Sequence, residues 1–420
     1  MSFEEDKRTR QGGRTRRTVL VGLLLTVLLV GLYLYRHEIV LALIFGRGVD
    51  VEWARDVQRD NSTGHESAHG VIATGNGFSV VGQTNSRQHG VEHAWVLRFD
   101  KAPPPRWERT HAGNGKLGAA SRAIASMQGG GLVVAGTEYV TGGGFQEWLL
   151  ALSPAGDVLW ERTPGREGVN GLDAVVVLED GSIVAGGRQD REGWVVRMDS
   201  RGDMLWEVKL PRLERVNALV ALPAQRVAVL GVTETSTVGL GVSRLLLLES
   251  DGRATVETRL PTDGRGELEA LALLPDGGLV ATGSLSRPDS MDWSFWVICM
   301  NARGEPRWEY VSELLRMDAG SALTVLPDGG VAVVGFWWKD LFKDDREAKV
   351  WRFSADGRLL WQRSYGGDKD DSGSGIARLE DGSLVVVGTT MSKGAGKTDL
   401  WTFGLSPEGE LLWEETFGAP

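Results

Sequence analysis

Most of the chain alternates short apolar runs with tight polar punctuation. ALTVLPDGGVAVVG (322–335), AVVVLEDGSIVAGG (174–187), ALALLPDGGLVATG (270–283) and IARLEDGSLVVVG (376–388) share one plan. An apolar run meets an Asp-Gly turn, and a second apolar run ends in glycine. Apolar runs of strand length joined by such a turn predict a β-hairpin. A second hairpin follows downstream, as in WVVRMDSRGDMLWEV (194–208).

Two tryptophan registers track the repeat. Tryptophan opens the third strand at Trp95, Trp148, Trp194, Trp296, Trp351 and Trp401, and recurs in the fourth at Trp53, Trp107, Trp160, Trp206, Trp308, Trp361 and Trp413. These positions read as packing between units, not as a cofactor cage. A glycine ends the second strand at Gly82, Gly136, Gly187, Gly231, Gly283, Gly335 and Gly388, at spacings of 44 to 54 residues. Four-stranded units at that period predict an all-β fold, a seven-bladed β-propeller over residues 51–420. The fourth unit carries Arg244 and Val256 where the two tryptophans belong, so its blade is expected to be the least well packed. Two segments, 51–57 and 411–418, compete for the outer edge of the last blade.

Turns such as Asp199, Gly202 and Trp206, or Asp381, Gly382 and Gly388, give the chain its family resemblance. It resembles the bacterial propellers of the quinoprotein-like (PQQ-repeat) families. That resemblance implies the propeller fold for the whole repeat region. It implies function loosely, because such families include quinone-dependent dehydrogenases and a membrane-assembly scaffold. The Asp-to-Gly turn is one residue shorter than the quinoprotein motif. Cys299 is the single cysteine, which excludes the vicinal disulfide of many such dehydrogenases.

The N-terminus adds a different element. Residues 1–17 carry a local charge of +3, and Val19–Tyr35 run without a charge, with Tyr33 and Tyr35 placed as an aromatic belt. A basic tail (1–17), a transmembrane signal anchor (18–36) and a juxtamembrane linker (37–50) are expected, with the N-terminus cytoplasmic and the propeller periplasmic or extracellular. A cleaved twin-arginine export signal is the alternative, but no small-residue cleavage site follows. Removing the +3 of the tail from the whole-chain −10 leaves −13, an acidic balance that argues against nucleic acid as a partner.

His65-Glu66-Ser67-Ala68-His69 spells H-E-x-x-H, the pattern of zinc metalloproteases. On a helix both imidazoles reach one zinc; in an extended segment they stand about 13 Å apart, too far for a shared ion. With the first unit's turn taken as one residue shorter than the others, the repeat places His69 at the start of a first strand, in the same register as Arg122, Asp173, Asn217, Glu269, Ser321 and Ser374. First strands line a propeller axis, so these seven polar residues are expected to ring one mouth of the channel. A looser metal site, for zinc or copper, has His65, His69, His89, His93 and His111 as its weak candidates. DKDDSG (368–373) mimics a calcium loop, but Leu379 stands where the bidentate Glu belongs. In FWWKDLFKDD (336–345), Trp337, Trp338 and Phe342 fall outside the repeat registers, and Trp293 occupies the comparable loop one blade earlier. They are expected either to form an exposed docking surface or to fold back.

No phosphate-binding loop or nucleophile elbow lies in strand–helix context. The expectation is a non-catalytic interaction or scaffold module binding envelope proteins or glycans, with no resident cofactor. A quinone- or metal-dependent oxidoreductase holding PQQ or a divalent metal at the axial mouth is one alternative, and a glycan-binding module another.

Overall fold

The computed structural model describes residues 64–418 except 76, 87–90, 115–116, 142–143, 166–169, 234–240, 261–264, 287–292, 314–316, 340–344 and 396. The proposed membrane anchor, its tail and linker, Trp53 and the 51–57 segment, His89 and Phe342 lie outside the described residues. Among the described residues, no helix is long and apolar enough to cross a membrane.

Among the described residues, twenty-eight strands follow one another in antiparallel groups of four. The quartets span residues 66–111, 119–162, 171–210, 215–260, 265–311, 318–365 and 371–417. Five are separate four-stranded sheets; the fourth and fifth join through one parallel pairing, Val242 with Gly266. The first strands contact one another in a closed cycle, the first quartet's strand touching the seventh's, so they line a common axis. The outer edge of the last sheet is Leu411–Phe417, paired with Asp399–Leu405.

Burial explains the sequence pattern. Second and third strands are covered on both faces, as in Gly77–Thr84 with His93–Phe99 or Val331–Trp338 with Arg346–Phe353, and therefore read as continuous apolar runs. Outer strands such as Met204–Leu210 have mostly exposed residues, with the tryptophan half-buried. Seven hydrophobic clusters fill the seven junctions between successive quartets. The cluster joining Trp95 and Phe99 to Val387, Leu400 and Phe417 closes the seventh onto the first.

The two tryptophan registers divide the work. Third-strand tryptophans are fully buried. Fourth-strand tryptophans rivet the rim. Trp107, Trp160, Trp206, Trp308 and Trp361 each donate from Nε1 to a backbone carbonyl in the next quartet's outer turn, at 2.9–3.2 Å. The glycine two residues further on lies under the indole. A Cβ on Gly202 would meet the Trp160 ring at 3.1 Å.

The fourth quartet departs as its sequence requires, but its core is filled rather than loose. Leu245, Leu247, Leu260 and Leu268 pack with Trp296. Arg244 takes over one indole's polar contact: Trp194 Nε1 donates to Glu207 at 2.9 Å, and Arg244 donates to Glu257 at 2.5 Å. Only the rim rivet is absent, since Val256 has no donor to offer the turn at Gly304.

The turn between the first two strands of this quartet is also atypical. In the Asp-Gly turns, Asp180, Asp276, Asp328 and Asp381 accept the amide two residues on, and a glycine takes positive φ. Here Ala224 and Gln225 take φ of 62° and 60° instead. Ala224→Asn combined with Gln225→Gly fits the favoured type I′ chemistry and should stabilise by about 1 kcal/mol, raising Tm by about 2 °C. Thermal unfolding of the double variant checks this; an unchanged or lower Tm would show the turn carries no strain.

Candidate functional site

The seven axial residues share one backbone feature. In every first strand the register with the second strand slips by one residue, and the extra residue is His69, Arg122, Asp173, Asn217, Glu269, Ser321 or Ser374. Each is the unpaired residue of a β-bulge, which bends the strand and re-aims that side chain. The residue before it pairs with the repeat glycine: Ala68 with Gly82, Ser121 with Gly136, Gly320 with Gly335. At that glycine the preceding carbonyl comes too close for a side chain. A Cβ on Gly82, Gly335 or Gly388 would sit 1.9 Å from the oxygen of Ser67, Ala319 or Ser372. The glycine register and the polar register are therefore two sides of one bulge.

The bulged side chains reach across the junctions. Nδ1 of His69 donates to the carbonyl of Ser121 at 2.6 Å, Nδ2 of Asn217 to that of Leu268 at 2.9 Å, and Oγ of Ser374 to that of Ala68. In each case the acceptor is the residue just before the next quartet's bulge, so one hydrogen bond recurs three times around the axis. Arg122 instead pairs with Asp173 at 3.7 Å. The His69 tautomer follows from its partners. A carbonyl can only accept, so Nδ1 carries the proton and Nε2 takes the Ser67 hydroxyl at 3.0 Å. Burial and the neighbouring Arg122 push its pKa down to about 4, keeping it neutral.

One sector of the ring is charged. Arg215 bonds Glu267 at 2.5 Å and faces Glu269 at 3.6 Å. Burial pushes Glu269 up to about 7 against the pull of Arg215, with Glu267 and Asp173 adding to the rise. Neither Arg215 nor Glu267 was singled out from sequence. They lie two residues ahead of the ring positions, a register that carries no repeated residue type. At the turn ends of the first strands of the second to fifth quartets lies a mainly apolar cavity of about 430 Å³, lined by Met127, Leu178, Leu222 and Leu273 among others.

The H-E-x-x-H segment is extended: Glu66–Thr74 is a strand, and His65 bridges to Thr398. Its histidines serve separate partners, His65 facing the Thr398 hydroxyl at 3.2 Å and His69 the Ser121 carbonyl. His93 turns to the carbonyl of Val91 at 2.9 Å, and burial with nearby Arg109 pushes His111 down to about 4. Among the described residues, no group of three such side chains is placed to hold a metal. In the 368–373 turn, Asp370 receives Arg346, and Asp371 receives Thr390 and Ser392.

The aromatic loop residues divide. Trp293 is not in a loop as expected: it opens a strand and is 2% exposed, because that strand is buried on both faces. Trp337 and Trp338 end their strand half-buried. Lys349 stands over Trp337 at 5.3 Å and Arg346 over Trp338 at 5.4 Å, while Trp337 Nε1 reaches Glu347 at 3.2 Å.

No protein-family model and no curated protein matches the sequence. Solved structures do match in fold. The β-propeller domain of the Trilobed protease from Pyrococcus furiosus, which has an open velcro topology, is 11% identical with a TM-score of 0.50, over 85% of this chain and 96% of that one. Virginiamycin B lyase from Staphylococcus aureus is 12% identical with a TM-score of 0.50, over 77% of this chain and 94% of that one. Its catalytically inactive form with quinupristin is 13% identical, also with a TM-score of 0.50, over 79% and 93%. The chain is a β-propeller; at these identities the likeness extends to fold alone.

Proposed function

We propose that each quartet is one blade of a seven-bladed propeller, and that the protein is a non-catalytic interaction module. Residues 18–36 would hold it at a membrane, with the propeller on the non-cytoplasmic side. The observation that carries the non-catalytic reading is the use made of the axial side chains. His69, Asn217 and Ser374 are committed to carbonyls of the next blade, and Arg122 to Asp173. Side chains engaged in this way latch the ring rather than meet a substrate. Recognition then falls to the face bearing the loops between second and third strands, where Trp337 and Trp338 present half-buried rings beside cations.

The partner class proposed is an envelope protein. A photoreactive amino acid at Lys339 of the full-length chain should capture one discrete protein in cells. Trp337→Ala with Trp338→Ala should abolish that product while the melting curve still shows a folded propeller. Capture that survives the double substitution sinks the reading. Quinone absorbance or a stoichiometric divalent metal in the purified chain would instead favour the oxidoreductase implied by the PQQ-repeat resemblance. A glycan-array signal would favour glycan binding.

A further inference from the structure

The glutamate of H-E-x-x-H has a different neighbour from the one its motif suggests. Glu66 and Asp399 are each 1% exposed, on opposite sides of the junction between the last quartet and the first. A Cβ placed on Gly418 would lie 1.8 Å from Asp399 Oδ1 and 3.0 Å from Glu66 Oε2. The two oxygens therefore lie within about 5 Å of each other, inside the range where like charges disfavour joint ionisation. Glu66 Oε1 receives the hydroxyls of Thr84 and Ser86, whereas Oε2 is buried without a hydrogen-bond partner.

The junction has few other ties. The Glu66 amide donates to Thr398 O at 3.0 Å, the Lys397 amide to Gly64 O at 3.3 Å, and Ser374 Oγ to Ala68 O. Hydrophobic contacts around Phe78 and Leu400 supply the rest. The charged groups on the surrounding elements are His65, facing Thr398; Lys393, paired with Glu414; Lys397; and Asp371, which Thr390 and Ser392 hold.

We propose that Glu66 and Asp399 form a proton-sensitive latch at the seam where the ring closes, firm when one proton neutralises the pair and loosened when both carry charge. Burial, reinforced by Asp399, raises the Glu66 pKa, while the Thr84 and Ser86 hydroxyls hold it back. The sign follows from linkage. The folded seam binds a proton more tightly than the unfolded chain, so its stability is full below the unfolded glutamate pKa. It is lost as pH rises through the folded value.

Hydrogen exchange of the full-length chain, corrected for intrinsic rates, reads the seam at the amides of Glu66 and Lys397. Both should exchange several-fold faster at pH 8 than at pH 4. Glu66→Gln keeps an acceptor for Thr84 and Ser86 and removes one charge, so it should hold the slow rate at both pH values. Asp399→Asn should do the same from the other side, should the first variant fold poorly. Rates independent of pH in the wild type, or an undiminished pH effect in whichever variant folds, would overturn the latch.

Discussion

Gly335→Ala will unfold the propeller or cost it at least about 3 kcal/mol, far more than an alanine normally costs on a strand. The added Cβ would stand 1.9 Å from the carbonyl oxygen of Ala319, with the Ala319 carbon and Gly320 Cα within 3.0 Å. All three are backbone atoms of the bulged first strand, so no rotamer change relieves the clash. The bulge itself must straighten, which would turn Ser321 away from the axis and shift the register of Asp318–Val325 on Val331–Trp338. Gly129→Ala is the control. Its φ is 82° and nothing lies within 4 Å of the new methyl, so only the backbone cost of about 1–2 kcal/mol applies. Denaturant unfolding of both variants decides the matter. A loss at Gly335 no larger than that of the control would mean that the neighbouring strand yields to the methyl and that the close carbonyl does not select the glycine.

That glycine shows how far the sequence can be read. Its period, with the tryptophan period, was enough to place the quartets, because both faces of the middle strands are buried and their residues must repeat. Why a glycine stands there was not legible. The cause is a carbonyl on the neighbouring strand, visible only once the register is known. The polar ring was legible as a register, since six positions fall fourteen residues before the repeat glycine and His69 falls thirteen before its own, one turn being a residue shorter. Its use was not: whether His69 faces a ligand or the Ser121 carbonyl depends on the rotation between adjacent sheets, which no local pattern encodes. The same limit explains Trp293. Its position after a second strand suggested a loop, but the strand begins at Trp293 itself and buries it. Val256 illustrates the reverse case. The missing tryptophan was plain, yet the leucines that fill the fourth junction lie in ordinary apolar runs and carry no visible mark of compensation.

At pH 8, Glu147→Gln should stabilise the protein by about 2–3 kcal/mol, and the gain should vanish near pH 4.5. Glu147 is fully buried at the second junction. Oε1 receives the Gln189 amide at 3.2 Å, and Oε2 is buried without a hydrogen-bond partner. Gly165 packs against it so closely that a Cβ there would lie 2.1 Å from Oε2. Burial, with Asp190 and Glu207 adding their charge and hydrogen bonds only partly offsetting it, pushes its pKa up to about 7 from 4.5. Above pH 7 the folded protein must carry this charge in an apolar junction, whereas the unfolded chain ionises in water. Stability therefore falls as pH rises from about 4.5 to 7 and then levels. Glutamine keeps the acceptor for Gln189 and carries no charge at any pH, so its curve should be flatter in that window and meet the wild type in acid. Thermal unfolding of both proteins at pH 4.5, 6 and 8 separates this from the seam, because the Glu66 latch should persist in the Glu147→Gln background. Parallel curves across the three pH values would mean that Glu147 is already neutralised by water or relaxed out of the junction.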